Sequence, residues 1–493
     1  MPEQPAGEKR LFVINYVSGY PHAKRIDYGV CTYMNHFIAS ESYNGSVPRN
    51  RDVDVVNSVL FAVLYDQTIG CYYNIKLSDD SYGIVLDIED IDVSLCTHLI
   101  YSFVGLGKDA SIQTLDDIQN DEFTKFNDLR KKNPHLNTLI SLPDTNDDFE
   151  HTITNNKILT DPNLRETLVD NIVNFLQKYG FNGVDIDLSY AKLSGGVSPI
   201  KENSVLLLKA LREKSDEEDF ILSVAVDPTE DIARILYDIK EIATYVNFIN
   251  LKTYNFHGIS KAGKKVDVAH TSPHYPSSNE NQKRRKMNID DVVQYWISEG
   301  APARKLILGI PFYGISYTLA NPKQISRDTQ FTEEVKMGSQ LQYYQICSLA
   351  KDPKWMHFYD KKQQVPYVFR GNQIIAYDDV KSIKKKAEYV EKMNLGGVSV
   401  WTINQDDLRG QCGETFPLLK TLNRAIRQKC GVATYTRGHA KKQQGLTLPP
   451  RVWMRCQFLS SAPGTSPILS ETQGSRRRKS KGVFHLGSVP RRP

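Results

Sequence analysis

Eight short, apolar, β-rich runs with room for helices between them constrain this chain more than any other feature. They cover residues 69–74, 97–104, 137–142, 183–187, 220–226, 246–253, 305–311 and 396–402. Alternating strand and helix of this kind specifies parallel βα units. Eight of them in about 360 residues predict a (β/α)8 TIM barrel in the α/β class. One unit shows its helix clearly: Leu164, Leu168, Ile172, Phe175 and Leu176 share an apolar face. Asp161-Pro162 supplies a cap and a first-turn proline, and Gly180 a stop.

The longest gap between runs, 317–395, carries strand-like pieces at 365–369 and 373–377 and a Lys-rich helix at 381–393. We expect a small α+β insertion there, between strands 7 and 8. The organisation is then an N-terminal extension, 1–68, a barrel, 69–430, and a tail, 431–493.

Charge separates these parts. The tail holds twelve Lys or Arg against the single acid Glu471, a net of +11, so the whole-chain +5 leaves −6 for residues 1–430. It is rich in Pro, Gly and Ser without periodicity and is expected to be disordered. Its Arg476–Lys479 cluster has no accompanying nucleic-acid motif, so no nucleic-acid partner is expected. No run of 18 apolar residues suggests a membrane span, and Met1–Arg10 is too polar for a signal peptide. Residues 55–65 have the length of a signal core but read equally as a buried strand. Asn44-Gly-Ser46 is a glycosylation sequon. Seven cysteines, in neither CxxC nor Cys/His spacing, leave at least one unpaired or paired between chains and give no metal site; no cofactor is expected.

The candidate chemistry lies in the fourth run, Gly183-Val-Asp-Ile-Asp-Leu-Ser189. Alternate side chains of a strand share a face, so Asp185, Asp187 and Ser189 point into the barrel while Val184, Ile186 and Leu188 pack under helices. Two inward carboxylates suit acid–base work, or a solvated polar interior.

This run resembles the DGxDxDxE signature of glycoside hydrolase family 18, the chitinases and chitinase-like lectins. Further stretches are similar to that family in its order: Cys96–Phe103, Thr253–Gly258, Lys305–Gly314, Tyr367 with Gly371-Asn372-Gln373, Tyr377–Asp379 and Gly396–Trp401. The family's mechanism is substrate-assisted: a Glu protonates the glycosidic oxygen while the substrate's acetamido group attacks. The middle Asp and a Tyr hold the intermediate. On this resemblance Ser189 occupies the acid's place and Asn182 replaces the first Asp, so no catalytic set is intact. Were the strand to continue, Asp187 would lie about 6–7 Å deeper than Ser189, out of reach of the scissile bond.

The resemblance places Tyr72, Phe103, Asp187, Tyr254, Asn255, Tyr313 and Trp401 in a sugar cleft, Trp401 as the stacking platform. It implies disulfides Cys71–Cys96 and Cys347–Cys412 and hence an extracellular protein, leaving Cys31, Cys430 and Cys456 over. Losses accompany these matches: Pro143-Asp144-Thr145 stands for Gly-Gly-Trp, Lys252 for Met, Asn255 for Asp and Ile315 for Arg. Lys252 is expected to point inward and pair with Asp185 or Asp187, the alternative being a solvated lysine. The expected function is a secreted, monomeric, inactive chitinase-like protein binding chitin or chito-oligosaccharides, similar to inactive arthropod forms such as the mite group 18 chitinase-like allergens. The alternatives are a residually active chitinase or a growth-factor-like signal without a sugar ligand.

Overall fold

The computed structural model describes residues 67–75, 85–114, 117–143, 158–189, 198–256, 265–267, 269–278, 280–318 and 334–427. It also gives the backbone of three short strands, Leu11–Asn15, Val59–Val63 and Gly431–Tyr435, which pair antiparallel. The side chains of residues 55–65, the sequon, the basic tail, and Cys31, Cys430 and Cys456 lie outside the described residues.

Eight parallel strands close a barrel in sequential order: β1 Thr68–Asn74, β2 His98–Ser102, β3 Asn137–Leu142, β4 Gly183–Asp187, β5 Ile221–Val226, β6 Phe248–Leu251, β7 Leu306–Pro311 and β8 Gly397–Trp401. Each falls within two residues of its expected run at either end. Apolar residues on the outer strand faces, among them Val184, Ile186, Leu222, Val224, Leu308 and Val398, form one core with the helices. Tyr72, Ile100, Leu139, Phe248 and Ile307 form a separate cluster inside the barrel.

Helix Pro162–Tyr179 shows how locally the sequence dictates its elements. The Asp161 carboxylate accepts from the Asn163 and Leu164 N–H groups, Pro162 takes the first turn, and Gly180 ends the helix at φ 75°. Leu168, Ile172, Phe175 and Leu176 are buried and Leu164 is packed against them.

The insertion is a six-stranded antiparallel sheet, ordered Lys265–Asp267, Glu334–Gln342, Tyr313–Thr318, Gln373–Ala376, Val365–Arg370 and Met356–Asp360. It differs from the expected 317–395 unit in three ways. Its sheet starts at Tyr313, directly after β7, and it recruits Lys265–Asp267 from the loop after β6. The Lys-rich helix, Val380–Lys392, belongs to the barrel: Ile383, Ala387, Tyr389 and Val390 join the main core, and the helix packs on Pro417–Arg427. Its lysines face away from an apolar stripe, except Lys386. That ammonium is fully buried and paired with Asp378 at 2.6 Å and with Ser272 Oγ at 2.7 Å.

Both expected disulfides are formed, Cys71–Cys96 from β1 to the residue pair before β2, and Cys347–Cys412. Among the described residues no helix is long and apolar enough to cross a membrane.

Candidate functional site

The site lies at the C-terminal ends of the barrel strands, the end at which barrels of this type place their chemistry. Strand register builds its lower layer. Asp185 on β4 sits level with Ser141 on β3 and Ser223 on β5. Its Oδ2 accepts from Tyr72 OH at 2.9 Å and Ser141 Oγ at 3.1 Å, and its Oδ1 from Ser223 Oγ at 2.6 Å and Asn250 Nδ2 at 3.1 Å. Four donors therefore surround one fully buried carboxyl group. Burial pushes its pKa up, the Ser223 hydrogen bond opposes that rise, and the Asp187 charge adds to it. Tyr72 is driven well above its ordinary value by burial and then by Asp185.

Ser141, Ser223 and Asn250 were not singled out in the sequence. A signal was present for two of them, since Ser223 and Asn250 are each the single polar residue of an otherwise apolar strand, whereas Ser141 shares its strand with Asn137 and Thr138.

One layer up, the chain leaves the strand. β4 ends at Asp187, and Ser189 sits in a turn rather than on a continuing strand. Asp187 Oδ1 accepts from the Ser189 N–H at 2.9 Å and from Ser189 Oγ at 2.5 Å. The expected 6–7 Å offset between these residues is therefore incorrect: a tight side-chain-to-backbone turn folds Ser189 back onto Asp187. Both Asp187 oxygens are engaged, because Oδ2 accepts from Lys252 Nζ at 3.1 Å.

Lys252 follows β6, and its ammonium also donates to Ser189 Oγ at 2.8 Å. It pairs with Asp187, not Asp185, and with its side chain only 15% exposed it is no solvated lysine. Its charge reaches Asp227 as well, a carboxyl raised by burial and lowered by its Thr229 hydrogen bonds and by Lys252. Asp187, Ser189 and Lys252 thus form a closed ring of hydrogen bonds just beyond the C-terminal end of β4.

The aromatic residues line the wall beside this ring. Trp401, at the end of β8, is half-buried; its ring centroid lies 5.6 Å from Phe103 and 5.3 Å from Tyr72. Lys252 Nζ lies 5.8 Å from the Trp401 ring. Tyr254 meets Tyr313 edge-on at 6.2 Å, and Tyr313 OH donates to Asn255 Oδ1 at 2.8 Å. Asn255 holds a left-handed φ of 56°, which an Asn tolerates better than most residues. Exposure divides the set: Trp401 and Phe103 retain open surface, while Tyr72, Tyr254 and Tyr313 are buried supports.

Ile315 is buried among Tyr254, Tyr313, Tyr317, Tyr367 and Phe369 of the insertion, so an apolar side chain suits its place. Asn182 lies at the opposite end of β4. Its Oδ1 accepts from Arg130 Nη1 at 3.0 Å and the Thr138 N–H at 2.9 Å, a structural role away from the cleft. Pro143 is buried after β3; Asp144 and Thr145 lie outside the described residues.

Comparisons agree with this geometry. The sequence model for glycosyl hydrolases family 18 matches residues 68–406. Chitotriosidase-1 of Mus musculus is 33% identical over 354 residues, covering 68% of this chain and 73% of its own. The crystal structure of the Ostrinia furnacalis Group IV chitinase superposes with a TM-score of 0.65 at 30% identity, covering 73% of this chain and all of the other. Human YKL-39, described as a pseudo-chitinase with retained chitooligosaccharide binding properties, superposes with a TM-score of 0.64 at 25% identity over 73% of this chain and all of its own. A sequence match over most of the barrel, a closed eight-stranded parallel sheet, and acidic residues at the C-terminal end of its fourth strand together make this chain a member of glycosyl hydrolase family 18.

Proposed function

We propose that this protein is a catalytically inactive, secreted chitinase-like lectin that binds chito-oligosaccharides in the barrel cleft. One observation carries the reading: Ser189, which the family resemblance puts in the acid's place, has its Oγ held between Asp187 Oδ1 at 2.5 Å and Lys252 Nζ at 2.8 Å. A serine hydroxyl cannot deliver a proton near neutral pH. Loss of the acid removes roughly 10²- to 10⁴-fold of rate.

Asp187 does not take over. Its Oδ2 accepts from a lysine ammonium and its Oδ1 from two donors of Ser189, so both oxygens are tied to the protein and neither is turned to a scissile bond. The capacity to bind rests on the half-buried faces of Trp401 and Phe103, which suit stacking on a pyranose. YKL-39, which is similar in fold, is a precedent for binding without cleavage. Two disulfides support an oxidising, extracellular destination.

The test uses the full-length protein. It is expected to release no fluorophore from a fluorogenic chito-oligosaccharide above the blank, and to be retained on chitin beads. Trp401→Ala is expected to weaken that retention at least tenfold. Hydrolysis by the wild type refutes the inactive reading; failure of the wild type to be retained refutes the lectin reading.

A further inference from the structure

We propose that the outside of the barrel carries a second sugar site, a groove beside helix Pro162–Tyr179 that takes a neutral oligosaccharide independently of the cleft.

The groove lies between helix Asp117–Lys132, helix Pro162–Tyr179 and the hairpin of Gly105–Leu106 with Ile112–Gln113. Its volume is about 450 Å³, within the range of small-molecule sites. None of its described lining residues belongs to the ring at Asp187 or to the aromatic wall of the cleft.

Neutral groups dominate the lining. In a chain of which 24% is charged, the described residues of the groove include one cation, Lys178, and no carboxylate. Asn120, Asn171 and Asn174 supply amides, and Phe175 and Tyr179 aromatic carbon. Two of the amides have their orientation fixed by the protein. Asn120 Oδ1 accepts from Tyr179 OH at 2.5 Å, so its NH2 group is the end left to donate. Asn171 Nδ2 donates to the Ala110 carbonyl at 2.8 Å, so its own carbonyl is the end left to accept. The Asn171 bond also ties the hairpin loop to the helix, which holds the two sides of the groove together. A fixed donor and a fixed acceptor with no carboxylate between them match a neutral group that presents both, an acetamido group or a pair of adjacent sugar hydroxyls. A cationic ligand would be desolvated there without a counter-charge.

Tyr179 supplies the apolar surface. Its ring packs on Phe123 at 4.9 Å and Phe175 at 4.7 Å, and the Lys178 ammonium lies 4.6 Å from its centre. Lys178 is exposed, and a long, solvated side chain is free to swing aside and yield that ring to the C–H face of a sugar.

The experiment measures full binding isotherms of the full-length protein with two neutral probes, the β-1,4 tetramer of N-acetylglucosamine and that of glucose, which has adjacent hydroxyls but no acetamido group. Wild type is expected to show two classes of site for the acetylated tetramer, the cleft being the tighter. Asn174→Arg fills the groove from an exposed helix position and is expected to abolish the weaker class alone. Trp401→Ala is expected to weaken only the class that Asn174→Arg keeps. Binding of the glucose tetramer by the groove class assigns recognition to adjacent hydroxyls, its exclusion to the acetamido group, and either result supports a neutral-sugar site.

Identical isotherms for wild type and N174R overturn the inference and leave the lectin reading intact. A single class that is lost in N174R and unchanged in W401A supports the groove and refutes the cleft reading. Binding of neither tetramer by the wild type overturns both. If the arginine shifts the melting temperature, Asn174→Ala carries the same test, with at least a threefold loss of affinity expected in the groove class and none in the other; an unchanged groove class then overturns the inference.

Discussion

Replacing Ser189 by glutamate alone is expected not to restore hydrolysis. The new carboxylate would arrive where Ser189 Oγ now accepts from Lys252 Nζ at 2.8 Å. Opposite charges about 4 Å apart attract by roughly 4 kcal/mol at the effective dielectric of such sites. At 1.36 kcal/mol per pKa unit this lowers the new carboxyl by about 3 units, far from the near-neutral value a general acid needs. The deficit, about a thousandfold in protonated population, is as large as the whole 10²- to 10⁴-fold benefit of acid catalysis. Serine-to-glutamate combined with Lys252→Met removes the ion pair and is the variant expected to cleave. The assay is release of fluorophore from a chito-oligosaccharide glycoside between pH 4 and 7, with binding followed in parallel. If S189E alone cleaves as fast as S189E/K252M, Lys252 is not the obstacle and the electrostatic argument is wrong.

Three further outcomes follow from the same geometry. Asp185→Leu strands four donors in the barrel and is expected to cost about 3–5 kcal/mol in chemical denaturation. Asp185→Asn should cost about 1, because the hydroxyls of Tyr72 and Ser141 can turn to accept; equal costs would contradict the donor count. His274 is 2% exposed between Tyr275 at 4.3 Å and Tyr389 at 4.8 Å, and burial lowers its pKa to about 3. A lowered folded-state value means stability is full above the unfolded value near 6.5 and is lost as pH falls toward 3. His274→Phe should therefore flatten the stability profile by about 1.4 kcal/mol per pH unit between 6 and 4, and parallel profiles would refute the burial argument. Reducing Cys71–Cys96 and Cys347–Cys412, whose cysteines lie 25 and 65 residues apart, should cost about 3–4 kcal/mol per bridge and lower the melting temperature by several degrees. An unchanged melting temperature in reductant would show that the bridges do not carry the fold.

Much of this architecture was legible in the sequence because it is set locally. The strand runs, the cap at Asp161 and the stop at Gly180 depend on alternation, hydrogen-bonding side chains and backbone freedom within a few residues. The inward placement of Asp185 and Asp187 followed from strand periodicity alone. What was not legible depends on contacts between distant segments. The donors around Asp185 come from four other strands and meet only through barrel register. The recruitment of Lys265–Asp267 into the insertion sheet pairs it with Glu334–Gln342, across the whole of β7. The position of Ser189 departs from strand periodicity for the opposite reason: the alternation ends with β4 at Asp187, and two residues on a hydrogen bond to Asp187 outweighs the strand.

If Ser189 and Lys252 stand where the resemblance puts an acid and a methionine, the two exchanges read as one physical change. A Ser at 189 with an apolar residue at 252 would leave Asp187 buried with only the two Ser189 donors, and an unpaired buried charge costs several kcal/mol. A lysine at 252 with an acid still at 189 would lock that acid as an anion and end catalysis. Each exchange is unfavourable or inactivating without the other, whereas together they give Asp187 three donors, two from Ser189 and one from Lys252. A double-mutant cycle on stability, with Ser189→Ala, Lys252→Met and the pair, should therefore give a coupling energy of about 1–3 kcal/mol, the range for residues sharing one hydrogen-bond network. Additive effects, within about 0.5 kcal/mol, would mean that the two positions changed independently and that the ring around Asp187 is not a cooperative unit.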